Sequence, residues 1–282
     1  MKSLTSIVLC FLAFNLIGQT SFSGVFNKKE GEYKYFGKAN WDLFMQHHRE
    51  QDSLGFRLID VEEHKMDGTS LYWGIWEKDT IASEVHRADG WSEMVKLKRK
   101  MYKEGYKLDD VEAYLNDIDH IVYLGVWAKI DEKHKIWKLD SWAGLEKKNK
   151  EMAKDYMILV DVEPFMDEDG TRKYLAVFHP GGFFETSHVY TSTDLKEFNL
   201  ERLKRYKSGY RIIDFESYRV DGKEHYISVY HKGDYEESLR HNLNEASFKA
   251  HQKNYLETEG LQLIDIEVFV GEANWVEVQP VK

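Results

Sequence analysis

Leu58-Ile59-Asp60-Val61-Glu62 is a phrase that this chain writes five times with small changes. It returns as Leu108-Asp109-Asp110-Val111-Glu112, Leu159-Val160-Asp161-Val162-Glu163, Ile212-Ile213-Asp214-Phe215-Glu216 and Leu263-Ile264-Asp265-Ile266-Glu267. The repeated Asp recurs at spacings of 50, 51, 53 and 51 residues. A period of this length is the mark of a repeat architecture, in which one supersecondary unit stacks on copies of itself.

Upstream of each phrase the sequence predicts a helix: Asn40–Leu54, Gly90–Glu104, Ser141–Lys154, Asp194–Ser208 and Asn244–Glu259. Each begins at a residue type that caps free amides. Four end at Gly55, Gly105, Gly209 or Gly260, where a left-handed residue closes the last turn, and Asp155 stands in that slot in the third. Phe44, Met94, Leu145, Phe198 and Phe248, four residues after each cap, are the expected buried anchors of otherwise charged helices.

Downstream of the phrase come turns rich in Asp and Gly, then a second strand: Tyr72–Trp76, Tyr123–Trp127, Tyr174–Phe178, Tyr226–Tyr230 and a divergent Trp275–Val278. Stretches such as His134–Trp137 and His188–Tyr190 read as a third strand, and Tyr33–Gly37 as an orphan second strand. Strict alternation places Ile59 and Val61 on one face and Leu58, Asp60 and Glu62 on the other; Trp73 and Ile75 likewise oppose Tyr72, Gly74 and Trp76. The aliphatic face is expected under the helices, leaving acids, aromatics and small residues to form a groove on the second face.

The first residues, Met1-Lys2 and an apolar run from Ile7 to Ile17, read as a cleavable export signal ending near Ser21-Phe22-Ser23. The expected division is a signal peptide, 1–23, and a single repeat domain, 24–282, with units of about 33–80, 81–132, 133–183, 184–236 and 237–282. The protein is therefore expected to be secreted or periplasmic, without membrane insertion. Cys10, the one cysteine, lies in the apolar run, so the mature chain has no thiol for disulfides or metal. A formal charge of −10 disfavours nucleic acid as a partner.

The helix closed by Gly-Tyr or Gly-Phe (Gly55-Phe56, Gly105-Tyr106, Gly209-Tyr210), the hydrophobic-Asp-hydrophobic phrase and the Tyr-x-small-x-aromatic strand resemble the bacterial tandem repeat domain. That repeat is also seen in the non-catalytic N-terminal part of secreted polyglycine hydrolases. The resemblance covers about residues 33 to 280. It implies an α+β fold whose antiparallel strands form a curved sheet, an arc or partial barrel, with helices on one face. In those hydrolases the chemistry lies on a separate class C beta-lactamase-like domain that starts with Ser-x-x-Lys. Here no Ser is followed three positions later by Lys, so the resemblance lends no catalytic residue. The five-fold ring of penteins, built from ββαβ units of similar length, is an alternative whose amidinotransferring members need a nucleophilic Cys.

The paired carboxylates Asp60 and Glu62, Asp110 and Glu112, Asp161 and Glu163, Asp214 and Glu216, and Asp265 and Glu267 read as structural, because a feature present in every unit serves the unit's geometry. Trp76, Trp127, Phe178 and Tyr230, with His179 and His231, are the candidate ligand-binding residues of the groove. No catalytic residue, metal site or cofactor is assigned; His179, His188 and His231 are the weak candidates for metal. The function expected is a non-enzymatic module presenting an acid- and aromatic-lined groove to an extracellular polymer, peptide or partner protein. The alternative is a secreted, metal-assisted hydrolase with its site near the three histidines.

Overall fold

The computed structural model describes residues 19–66, 68–182 and 185–271. The chain opens with β1 (Gln19–Lys28) and then passes five times through a strand, a helix and an inner strand, followed in four of the five units by a middle strand. The first unit is β2 (Tyr33–Ala39), α1 (Trp41–Ser53), β3 (Phe56–Met66) and β4 (Thr69–Lys78). The second is β5 (Ser83–Asp89), α2 (Trp91–Lys103), β6 (Lys107–Leu115) and β7 (Ile121–Ala128). The third is β8 (Lys135–Leu139), α3 (Trp142–Lys154), β9 (Met157–Met166) and β10 (Arg172–Pro180), and the fourth is β11 (His188–Ser192), α4 (Leu195–Lys207), β12 (Tyr210–Val220) and β13 (Lys223–Lys232). The fifth is β14 (Glu237–Leu243), α5 (Glu245–Asn254), a π-helical turn (Tyr255–Glu259) and β15 (Leu261–Gly271).

The helices start where the caps predict. Asn40 Oδ1 accepts from the Leu43 amide at 3.0 Å, Ser141 Oγ from Gly144 at 3.1 Å, Asp194 from Lys196 and Glu197, and Asn244 from Ser247 at 2.8 Å. All five anchors are fully buried. The left-handed closing residue in the third unit is Tyr156 at φ 57°, not Asp155. Cap and closing residue are fifteen positions apart in four units and sixteen in the fifth; that extra residue is taken up by the π turn.

Each unit forms its own three-stranded antiparallel sheet, with orders β2-β4-β3, β5-β7-β6, β8-β10-β9, β11-β13-β12 and β14-β1-β15. The single curved sheet expected as an arc or partial barrel is thus replaced by five separate small ones. No sheet curls or closes; what is cyclic is the order of packing. The inner strands touch in the sequence β3, β6, β9, β12, β15, and β15 touches β3 again.

Closure depends on β1, the middle strand of the fifth sheet. Phe22-Ser23-Gly24-Val25-Phe26 is its Tyr-x-small-x-aromatic stretch, paired with β15 on one side and β14 on the other. The boundary expected after Ser23 falls inside this strand, where Phe22 and Ser23 are buried and Ser23 Oγ lies 2.8 Å from His241 Nδ1. The segment Trp275–Val278, expected as the fifth second strand, lies outside the described residues. Tyr33–Gly37 belongs to β2, an outer strand, rather than to an orphan second strand.

The face assignment needs correction as well. Every inner strand carries a β-bulge just before its Asp: the register skips one residue between Leu58 and Asp60, between Leu108 and Asp110, and at the equivalent points of β9, β12 and β15. The bulge shifts the alternation by one position. Leu58 and Val61 therefore share the face under α1 with Tyr72, Gly74 and Trp76, while Asp60 and Glu62 pair opposite Ile75 and Trp73 on the other. That second face packs on the neighbouring unit: Trp73 and Ile75 join Phe22, Phe26, Phe248 and Leu263 of the fifth unit. Leu124 and Val126 pack likewise on the first unit, Leu175 and Val177 on the second, Ile227 and Val229 on the third, and Val25 on the fourth. Five inter-unit cores, each closing one step of the cycle, hold the ring.

Candidate functional site: an axial cavity above two carboxyl levels

The bulge aims both acids of every phrase toward the centre. All ten side chains are buried, the aspartates at 4 to 8% exposure and the glutamates at 6 to 8%. They stitch neighbouring units together by accepting amides. Asp110 Oδ2 takes the Val61 amide at 3.0 Å, Asp214 that of Val162 at 3.2 Å and Asp60 that of Ile266 at 3.3 Å, the step that joins the last unit to the first. Glu62 accepts from Val268 at 3.3 Å in the same step.

Ten carboxyls gathered in a buried centre cannot all ionise. Burial, reinforced for most of them by neighbouring carboxylates, raises Asp110 and Glu267 to about 7 and pushes the other eight well above the ordinary carboxyl range. The side chains of Glu62 and Glu112 hydrogen-bond each other, as do those of Glu216 and Glu267. Such contacts need a proton between the partners, since an ionised carboxylate only accepts.

Toward the hairpin tips the axis widens into a cavity of about 730 Å³. Glu62, Glu112, Glu163, Glu216 and Glu267, one from each unit, line it, together with Glu63, Tyr114, Tyr218 and Phe269. Two cations also line it. The Arg172 guanidinium lies 4.4 Å from the Tyr218 ring centre and donates through Nη1 to the Pro164 carbonyl at 3.2 Å; that of Arg219 lies 5.3 Å from the Phe269 ring centre. Sequence reasoning missed this cavity and both arginines. The signal was available in the repeated Glu, had the bulge been recognised.

The residues chosen from the sequence as ligand contacts do not share this space. Trp76, Trp127, Phe178 and Tyr230 are all 0% exposed and sit under the helices, on the face opposite the acids, so acid and aromatic residues do not form one groove. Tryptophans in the first helical turns also pack: Trp41, Trp91 and Trp142 meet Tyr72, Tyr123 and Tyr174 edge to face. His179 Nε2 donates to the Leu108 carbonyl and His231 Nε2 to the Leu159 carbonyl, both at 2.6 Å, so each joins its unit to the preceding one. Burial holds both imidazoles below their usual pKa, although the bonds to the carbonyls act in the opposite sense. His188 stands edge-on to Tyr210 instead. Among the described residues, no three His, Asp or Glu side chains form a metal-holding group. The acidic turns are tied internally, Asp169 by Thr171 and Asn116 by the Ile118 and His120 amides.

Three segments, residues 41–79, 91–130 and 201–233, match the family model described as a polyglycine hydrolase-like structural repeat. The chain carries this repeat. The third and fifth units, which lie outside the matched segments, have the same order of strand, helix and inner strand. The third closes its helix with Tyr156 in place of Gly, and the fifth takes its middle strand from the other end of the chain. No curated protein matches the chain.

Proposed function

We propose that this protein is an exported, non-enzymatic binding module that holds an extracellular ligand, whether a polymer end, a peptide or a segment of a partner protein, in the axial cavity. The observation that carries this reading is the convergence of one glutamate from every unit on a single hollow of about 730 Å³, a size in the range of ligand sites. Acids and aromatic rings side by side suit ligands rich in hydrogen-bond donors. Export rests on the apolar run that follows Lys2. Nothing favours the alternative hydrolase, because the Nε2 atoms of His179 and His231 are engaged by main-chain carbonyls.

A thermal-shift panel of oligosaccharides, short peptides, polyamines and metals with chelator controls tests the reading. A ligand at 100 times its Kd adds about 2.7 kcal/mol. The expected result is a shift that Glu112→Gln reduces; a panel with no shift, or a shift indifferent to this substitution, overturns the proposal.

A further inference from the structure

The cavity is asymmetric along its axis. Its floor is the glutamate level. Arg219 stands three residues beyond Glu216 on β12, and Arg172 pairs with Met166, which stands three residues beyond Glu163 on β9. At a strand rise of about 3.3 Å per residue, both arginines leave the backbone about 10 Å above the floor, but the Arg172 guanidinium turns back to the carbonyl of Pro164, next to Glu163, whereas that of Arg219 stays at the Phe269 ring. Each guanidinium has an acid nearby, Glu163 for Arg172 and Glu224 for Arg219, but neither forms a salt bridge among the described residues, and the Nε of each has no hydrogen-bond partner. A further polar group in the wall is unpartnered: Ser217, 3% exposed, lines the cavity, and its Oγ meets no donor or acceptor.

A floor of glutamates that share protons, with Arg219 leaving the backbone about 10 Å above it, matches a ligand whose ammonium draws a floor carboxyl into its ionised form and whose other end is a carboxylate. An extended chain spans about 3.3 to 3.6 Å per residue, so three residues bridge the gap. We infer that the cavity takes a short zwitterionic peptide of about three residues, its N-terminal ammonium on the glutamates and its C-terminal carboxylate on Arg219. Tyr114, Tyr218 and Phe269 stand beside it, and Ser217 Oγ is placed to meet a peptide amide or carbonyl. A guanidinium forks onto a carboxylate through two parallel bonds, which gives the upper end its selectivity. This inference rests on the axial cavity being the binding site.

Calorimetry on the full chain with triglycine, N-acetyl-triglycine and triglycine amide tests it. Triglycine is expected to bind at least tenfold more tightly than either blocked form, the acetyl group removing the ammonium and the amide removing the carboxylate. Arg219→Gln should lower the affinity for triglycine to that of the amide, and Glu112→Gln should lower it toward that of the acetylated form. Equal binding of all three peptides, or binding untouched by both substitutions, overturns the inference. If no peptide binds but a sugar or polyamine does, sensitively to Glu112→Gln, the inference falls while the binding-module reading stands; if nothing binds, both fall.

Discussion

Gly74 leaves room for Trp76. A Cβ at position 74 would come within 2.8 Å of the indole and 3.0 Å of both Leu58 and Phe44. Gly74→Ala is therefore expected to cost roughly 1 to 3 kcal/mol through overpacking. In the third unit Ala176 accompanies the smaller Phe178, so Gly74→Ala combined with Trp76→Phe should recover much of that loss in a urea titration. The acids make a second prediction at this scale. A folded state that raises carboxyl pKa values binds more protons than the unfolded chain, so stability falls as pH rises. The contribution of Asp110 and Glu267 is full below their ordinary values of 3.8 and 4.5 and is lost as pH climbs through about 7. The melting temperature should accordingly be higher at pH 5 than at pH 8; a flat or rising profile over that range would refute the shared-proton centre. Asp161, one oxygen of which has no partner, offers the local check. Asp161→Asn should raise the melting temperature at pH 8 and change it little at pH 5.

At the level of helices and strands, the helices were legible almost to the residue, because caps, anchors and closing glycines are local signals. The exceptions are informative. Tyr156 holds a left-handed conformation that costs a non-glycine residue roughly 1 to 2 kcal/mol, so Tyr156→Gly should gain about 1 kcal/mol by calorimetric melting. Facing was not legible, because alternation is a count of two and a bulge adds one. Of the five bulged residues, Ile59, Val160, Ile213 and Ile264 are ordinary strand formers whose chemistry does not mark the skipped register; only Asp109 departs from that type. That one omission turned the strands over, putting the aromatics in an imagined groove and hiding the acids' convergence. The axial cavity was invisible for a further reason: its lining comes from five separate phrases, and only packing brings them together.

In the molecule as a whole, β1 decides whether the ring is complete. It was not legible as a strand, because small residues after an apolar run also describe the end of an export signal, and composition cannot separate the two. The structure makes the difference measurable. A chain beginning at Gln19 keeps all of β1, whereas one beginning at Gly24 loses Phe22 from the core shared by the first and fifth units. Loss of a buried Phe side chain alone costs about 3 to 5 kcal/mol. The shorter chain should unfold at lower urea, and amides of β14, β15 and β4 should exchange faster than those of β9; equal stability of the two chains would remove β1 from its place. Ser23 meets His241 across 218 residues of chain, which brings in the order of synthesis. Among the described strands, the one made first is the clasp for the unit made last, so the circle stays open, with β1 unmated, until β14 and β15 have been made. Loop closure over such a distance is slow, and until then a growing chain carries its own bare strand edge.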